Sequence, residues 1–331
     1  MRAALACSSG TRARRRACVA LASLWSLSLA AHAAVWPERP LRIIVPLAPG
    51  GAADVVTRHI AERLAVRLGQ PVYLEHRPGA GAIVGTQVLA QATGDGHTLG
   101  LVISSHAINA ALHRALPYDT LADFAPLCLA GNLQVALVAH SGLGVETVAQ
   151  LLALARRSQP ALAYASLGTA TGSHLAGELF SAAAGLPLRH VPYNGSAAVY
   201  RDLLGGHIPL AFVALESALP FWRAGQLKLL GVTSAQRSPA FAQVPALGET
   251  LPGYEASGFF GFMAPARTPP DVRRHLSAAL IAVLREPALV KQFGDSGFDV
   301  IAAPPAEFAI FLRREIVRYA ALVARIGLKI D

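Results

Sequence analysis

The chain has 331 residues, 53% of them hydrophobic and 15% charged, with 29 Lys and Arg against 20 Asp and Glu for a formal charge of +9. That apolar fraction excludes a disordered chain, and the length exceeds what one hydrophobic core usually spans, so two domains are expected. Cys7, Cys18 and Cys128 are too few for a disulfide scaffold or a four-cysteine zinc site, and the basic excess leaves a nucleic-acid partner open until the charges are located.

The charges cluster first at the N-terminus. Arg2, Arg12, Arg14, Arg15 and Arg16 precede an apolar stretch from Ala17 to Ala30 and the small-x-small triplet Ala31-His32-Ala33. The apolar stretch is too short to remain in a bilayer. Basic start, apolar centre and small-residue site together predict a secretory signal over residues 1–33, cleaved near Ala33. The mature chain is then expected outside the cytoplasm, keeping only Cys128. It holds 24 basic and 20 acidic residues, a balance of +4, and the nucleic-acid reading loses its main support. No later apolar run is long enough to span a membrane.

Leu41 to Val45 reads as a strand, and a Pro-Gly-Gly loop leads into a helix over 54–68 whose Val56, Ile60, Leu64 and Leu68 repeat at i, i+4. Gly69 stops that helix. Residues 71–75 read as strand, 84–92 as helix, 98–103 as strand and 109–116 as a short helix. Strands at 135–139, 162–165, 189–191, 209–213 and 227–232 then alternate with helical patterns at 145–157, 173–184, 197–204 and 217–222. The last third differs: after 259–263 come two long amphipathic helices near 271–285 and 305–326. Phe308, Leu312, Ile316, Tyr319 and Val323 form the predicted buried stripe of the second. Strands alternating with helices predict α/β sheets with parallel strands.

Three strand-to-helix loops carry candidate chemistry, because ligands of open α/β sheets bind beyond the carboxyl ends of strands. The first is Pro46-Leu47-Ala48-Pro49-Gly50-Gly51-Ala52-Ala53-Asp54, whose glycines let backbone N–H groups approach an anion. An ordinary turn, with Asp54 favouring the helix dipole, is the competing reading. The second, Ser166-Leu167-Gly168-Thr169-Ala170-Thr171-Gly172-Ser173-His174, holds more hydroxyls than a single helix cap at Ser173 needs. The third is Val191-Pro192-Tyr193-Asn194-Gly195-Ser196, where Tyr193 either packs against a ligand or fills core.

Other patterns are weaker. Gly79-Ala80-Gly81-Ala82-Ile83-Val84-Gly85 places its third glycine one residue late for a dinucleotide fingerprint. Gly294-Asp295-Ser296-Gly297 resembles a serine-protease loop but reads better as a helix end. The adjacent pairs Ser105-His106 and Ser173-His174 leave an exported hydrolase as an alternative, although adjacency does not put a base on its nucleophile. His106 either lines a cleft or packs. No histidine grouping has metal-ligand spacing, and no cofactor is expected.

The chain carries, in order, Pro49-Gly50-Gly51…Asp54, Glu75-His76-Arg77-Pro78-Gly79-Ala80-Gly81, Asp95-Gly96-His97-Thr98-Leu99, His106-Ala107-Ile108-Asn109, Leu116-Pro117-Tyr118-Asp119, Ser173-His174-Leu175-Ala176-Gly177-Glu178, His190-Val191-Pro192-Tyr193, Asp202-Leu203-Leu204-Gly205-Gly206 and Val232-Thr233-Ser234-Ala235, a series whose resemblance covers the mature chain from Trp36 to Asp331. It resembles the Bug-type periplasmic solute receptors of tripartite tricarboxylate transporters. The resemblance implies an α/β periplasmic-binding-protein fold of type II, two lobes joined by two crossing strands. Lobe one would hold 34–131 plus 257–331 and lobe two 132–256. It further implies a monomer that binds a small carboxylate between the lobes, without catalysis, and delivers it to integral membrane subunits; a receptor for a membrane sensor is the alternative. Candidate ligand-binding residues are Leu47, Ala48, Gly50, Gly51, Asp54, Ser105, His106, Ser166, Gly168, Thr169, Thr171, Ser173, Tyr193 and Val213. Asp54 is expected to fix the loop rather than touch an anion. Three positions depart from the family pattern: Ala53 where a hydroxyl is frequent, Asn194 where lysine is common, and Val213-Ala214 where aspartate-asparagine is typical. Val213 cannot serve a ligand's amino group, so a ligand without ammonium is expected.

Overall fold

The computed structural model describes residues 36–327. The predicted signal over 1–33 lies outside the described residues. Residues 39–327 form one compact unit built on two mixed sheets.

In chain order the elements are β1 (Leu41–Val45), α1 (Ala52–Leu68), β2 (Val72–His76), α2 (Ile83–Gln91), β3 (Thr98–Ile103), α3 (Ser105–Leu112), β4 (Phe124–Leu133), β5 (Val135–His140) and α4 (Val148–Arg157). They continue with β6 (Ala163–Ser166), α5 (Gly172–Ala184), β7 (Arg189–Pro192), α6 (Ser196–Leu204), β8 (Leu210–Ala214), α7 (Leu215–Arg223) and β9 (Leu227–Val232). The chain ends on β10 (Gly258–Pro265), α8 (Pro270–Leu284), α9 (Pro287–Gly294), β11 (Phe298–Ala303) and α10 (Pro305–Ile326).

The first sheet has the order β11-β4-β10-β3-β1-β2 and the second β7-β6-β8-β5-β9. β1 is parallel to β2 and β3, and β6 to β7 and β8, as the alternation predicts. β10 and β11 run antiparallel to β4, and β5 antiparallel to β8 and β9, pairings that the alternation of strands and helices does not predict. The cause is connectivity. Only Gln134 separates β4 from β5, so the chain passes straight into the second sheet, and β9 and β10 bring it back beside them in the opposite sense. β4 itself, interrupted by Pro126 and Gly131, and β11 were not legible from periodicity. The short helix predicted at 109–116 begins earlier, at Ser105, directly after β3.

The two segments that pass between the sheets are tied together. Thr233, fully buried, donates its N–H to Val135 O at 2.9 Å and accepts the Ala256 N–H at 2.8 Å, while its Oγ1 donates to Ala256 O at 2.5 Å. The larger apolar cluster joins Val102, Phe259, Met263 and Phe308 to Leu137, Tyr164 and Phe212. Phe308, Leu312, Tyr319 and Val323 of α10 are buried as predicted, each side chain contributing roughly 1.5–3 kcal/mol on full burial.

Candidate functional site

The β1–α1 loop is held from behind. Gly50 takes φ +86°, which turns its N–H back onto Asp54 Oδ2 at 3.0 Å. The other carboxylate oxygen accepts from Arg58 at 2.8 Å and lies 3.0 Å from His76 Nε2. Burial alone would raise the Asp54 pKa; the Gly50 N–H and the neighbouring Arg58 and His76 outweigh it and hold the carboxyl below its usual range. Asp54 therefore points away from the cleft and fixes the loop. Asp54→Ala strands the Gly50 N–H and His76, with an expected loss of about 2 kcal/mol. A thermal melt should fall by roughly 4 °C or more; an unchanged melting temperature would contradict this role.

The β6–α5 loop uses its hydroxyls on itself. Thr171 caps α5 by accepting the His174 N–H at 3.3 Å and donates to Gly168 O at 2.6 Å. Ser173, predicted as the cap, instead accepts the Leu167 N–H at 3.0 Å and shares a hydrogen bond with Thr171. Ser166 Oγ accepts the Gly168 N–H and lies 2.6 Å from His190 Nε2. Behind this loop His190 and His174 stack with ring centroids 3.9 Å apart, and Tyr164 donates to Glu178 at 2.7 Å. Burial pushes both histidines down to about 4.

Between the two loops lies a cleft of about 790 Å³, counting the solvent space at its open mouth. The N-termini of α1 (Gly51, Ala52, Ala53), α3 (Ser104), α5 (Thr171, Gly172, Ser173), α6 (Gly195, Ser196) and α7 (Ala214, Ser217) all line it. First-turn N–H groups have no intrahelical acceptor, and the helix dipole places partial positive charge there. Apolar side chains of the crossing strands, Leu133, Val135, Phe259 and Phe260, close the inner end. An adjoining outer compartment is bounded by Pro78–Ala82, Gly168, Thr169 and Asn194. None of the described residues lining either compartment carries a charged side chain. Among the described residues no cluster of three or more His, Cys, Asp or Glu is placed to hold a metal.

Of the sequence-predicted residues, Leu47, Ala48, Gly51, Thr171 and Ser173 line the inner cleft, and Gly168 and Thr169 the outer. Others lie elsewhere. Gly50 and Asp54 support the loop. His106 is buried between Tyr118 and Phe124 with Nε2 on Thr120 O at 3.0 Å, and burial pushes it down to about 4. Ser105 is buried beside it. Tyr193 donates to Asp202 at 2.9 Å and packs on the second core cluster. Val213 is fully buried in that cluster, and its neighbour Ala214 faces the cleft instead. Neither predicted Ser/His pair is hydrogen-bonded. Ser166 contacts His190, but it is fully buried and outside the cleft lining. The sequence reading missed Ser104, Ser196, Ser217, Ala214 and the crossing-strand walls. Gly195-Ser196 opening a helix was a usable signal; the walls become neighbours only through the topology.

The sequence profile described as "Tripartite tricarboxylate transporter family receptor" matches residues 56–328. The chain belongs to this receptor family. Protein BugT of Bordetella pertussis (strain Tohama I / ATCC BAA-589 / NCTC 13251) is 34% identical over 298 residues, 89% of this chain and 91% of BugT. Among solved structures, R. palustris Rpa4515 with adipate superposes with TM-score 0.86 at 29% identity, covering 89% of this chain and 99% of that one. The periplasmic binding protein BugD superposes with TM-score 0.85 at 28% identity, with the same two coverages. The two mixed sheets are thus the fold of a Bug-type receptor. Ala53 lines the inner cleft without a hydroxyl, and Asn194 faces the outer compartment without a charge.

Proposed function

We propose that this receptor captures a small organic carboxylate lacking an ammonium group and delivers it to the integral membrane subunits of a tripartite transporter. The observation that carries the reading is the convergence of helix N-termini on a cleft lined by no charged side chain. Such a cleft holds a carboxylate by backbone N–H groups and gives an ammonium group no counter-ion. The support for excluding ammonium moves from Val213, whose side chain is in the core, to the uncharged lining itself. The adipate bound to Rpa4515 is consistent with a carboxylate ligand. In this reading the sheets act as two lobes, 34–131 plus 257–331 and 132–256, closing over Gly51–Ala53 and Gly168–Ser173. The chain is exported and cleaved near Ala33. No helix among the described residues is long and apolar enough to cross a membrane.

Deleting the gene and measuring uptake of each carboxylate that binds the purified protein tests the delivery step. Loss of uptake is the expected outcome. Normal uptake with lost transcriptional induction would assign the protein to a sensor, and turnover of the acid by the purified protein would assign it to a hydrolase.

A further inference from the structure

Among the helix N-termini that line the inner compartment, those of α1 and α6 form a pole with an uncommitted hydroxyl. At that pole stand the first-turn N–H groups of α1 and the hydroxyl of Ser196, which lies so close to Gly51 that a Cβ there would be 3.3 Å from Oγ. The other hydroxyls of the lining already make hydrogen bonds within the protein. Ser104 accepts the Phe259 N–H at 2.9 Å, Ser173 accepts the Leu167 N–H, and Thr171 donates to Gly168 O. Ser217 donates to Ala214 O at 2.8 Å and bonds the Tyr200 hydroxyl at 2.7 Å. The apolar walls are Leu47, Leu133, Val135, Leu167, Phe259 and Phe260.

Resting on the carboxylate-receptor reading above, we infer that the ligand class is a monocarboxylate with an apolar aryl or alkyl body, its carboxylate at the α1 and α6 N-termini and its body against the crossing strands. A hydroxyl or second carboxylate placed against Leu133, Val135, Phe259 and Phe260 meets only apolar side chains. Each such group left unpaired is expected to weaken binding by about tenfold or more. Leu47 and Leu167 belong to loops of different sheets and are half-buried, so a polar side chain there alters the wall without opening a core.

The test titrates the protein, purified from exporting cells, with benzoate, cyclohexanecarboxylate, adipate, malate and citrate by calorimetry. Benzoate or cyclohexanecarboxylate is expected to bind at least tenfold more tightly than malate or citrate. Leu47→Asn and Leu167→Asn should each weaken the apolar acids about tenfold without weakening malate, with melting temperatures as the control for folding. If malate, citrate or adipate binds as tightly as the apolar acids, or if both variants leave benzoate unaffected, the inference is overturned while the receptor reading stands. Binding of none of these acids would overturn both.

Discussion

Gly81→Ala is expected to weaken carboxylate binding by roughly ten- to a hundredfold while lowering the melting temperature by only a few degrees. Gly81 sits at φ +60° in the loop that bounds the outer compartment, and Asn109 holds its carbonyl at 2.9 Å. A Cβ there would stand 2.7 Å from the backbone oxygen of Thr169 and 3.2 Å from Ala170 Cβ, both on the facing β6–α5 loop. Backbone cannot retreat as a flexible side chain does, so the two loops must part. An alanine at this φ adds a cost of about 1 kcal/mol in any state, whereas the clash arises only when the loops meet. Calorimetric titration of a bound carboxylate, beside a melt of the unliganded variant, separates the two effects. Unchanged affinity would mean that the approach of Gly81 to Thr169 plays no part in ligand capture.

The second large effect is acid lability. His106, His174 and His190 are each pushed down to about 4 by burial, and the charge of His174 depresses His190 further. In the unfolded chain they titrate near the ordinary value of 6.5. Between these limits the unfolded state binds more protons, so stability is full above about pH 6.5 and falls as the pH drops toward 4. For fully buried His106 the complete loss is on the order of 3 kcal/mol. Its Nδ1 has no hydrogen-bond partner, so an added proton there would be buried unpaired. The strain would reach the cleft, because His106 lies in the first turn of α3, next to the lining residue Ser104. His106→Phe keeps ring packing against Tyr118 and Phe124 and removes the proton site. Its melting temperature should fall less than the wild type's between pH 7 and pH 5, by roughly 4 °C. Parallel pH profiles would show that His106 is not a source of the lability.

The sequence made the strand-to-helix loops legible because each has a local signature. Gly50-Gly51 and Asp54 had the spacing of a loop braced by its own helix, and the structure places Asp54 in that bracing role. The hydroxyl-rich loop is legible too, and Thr171 and Ser173 do line the cleft, but the internal bonding of its hydroxyls is not. Counting donors in a sequence does not reveal that Ser166, Thr171 and Ser173 satisfy one another and the loop backbone. His106 and Val213 were drawn into the site by position in a motif, whereas α3 and β8 turn their side chains into cores. The inner walls were not legible at all. Leu133 and Val135 are far in sequence from Phe259 and Phe260, and only the two crossing segments bring them together. The antiparallel strands escaped for the same reason, since pairing direction follows from connectivity rather than from local periodicity.

Calorimetric titration of the protein with a panel of small carboxylates tests the central claim most directly. The account predicts saturable one-to-one binding of at least one acid without an ammonium group, and no comparable binding of aspartate or glutamate, whose ammonium would be buried without a counter-ion. Tight binding of either amino acid, or no binding of any carboxylate in the panel, would contradict it.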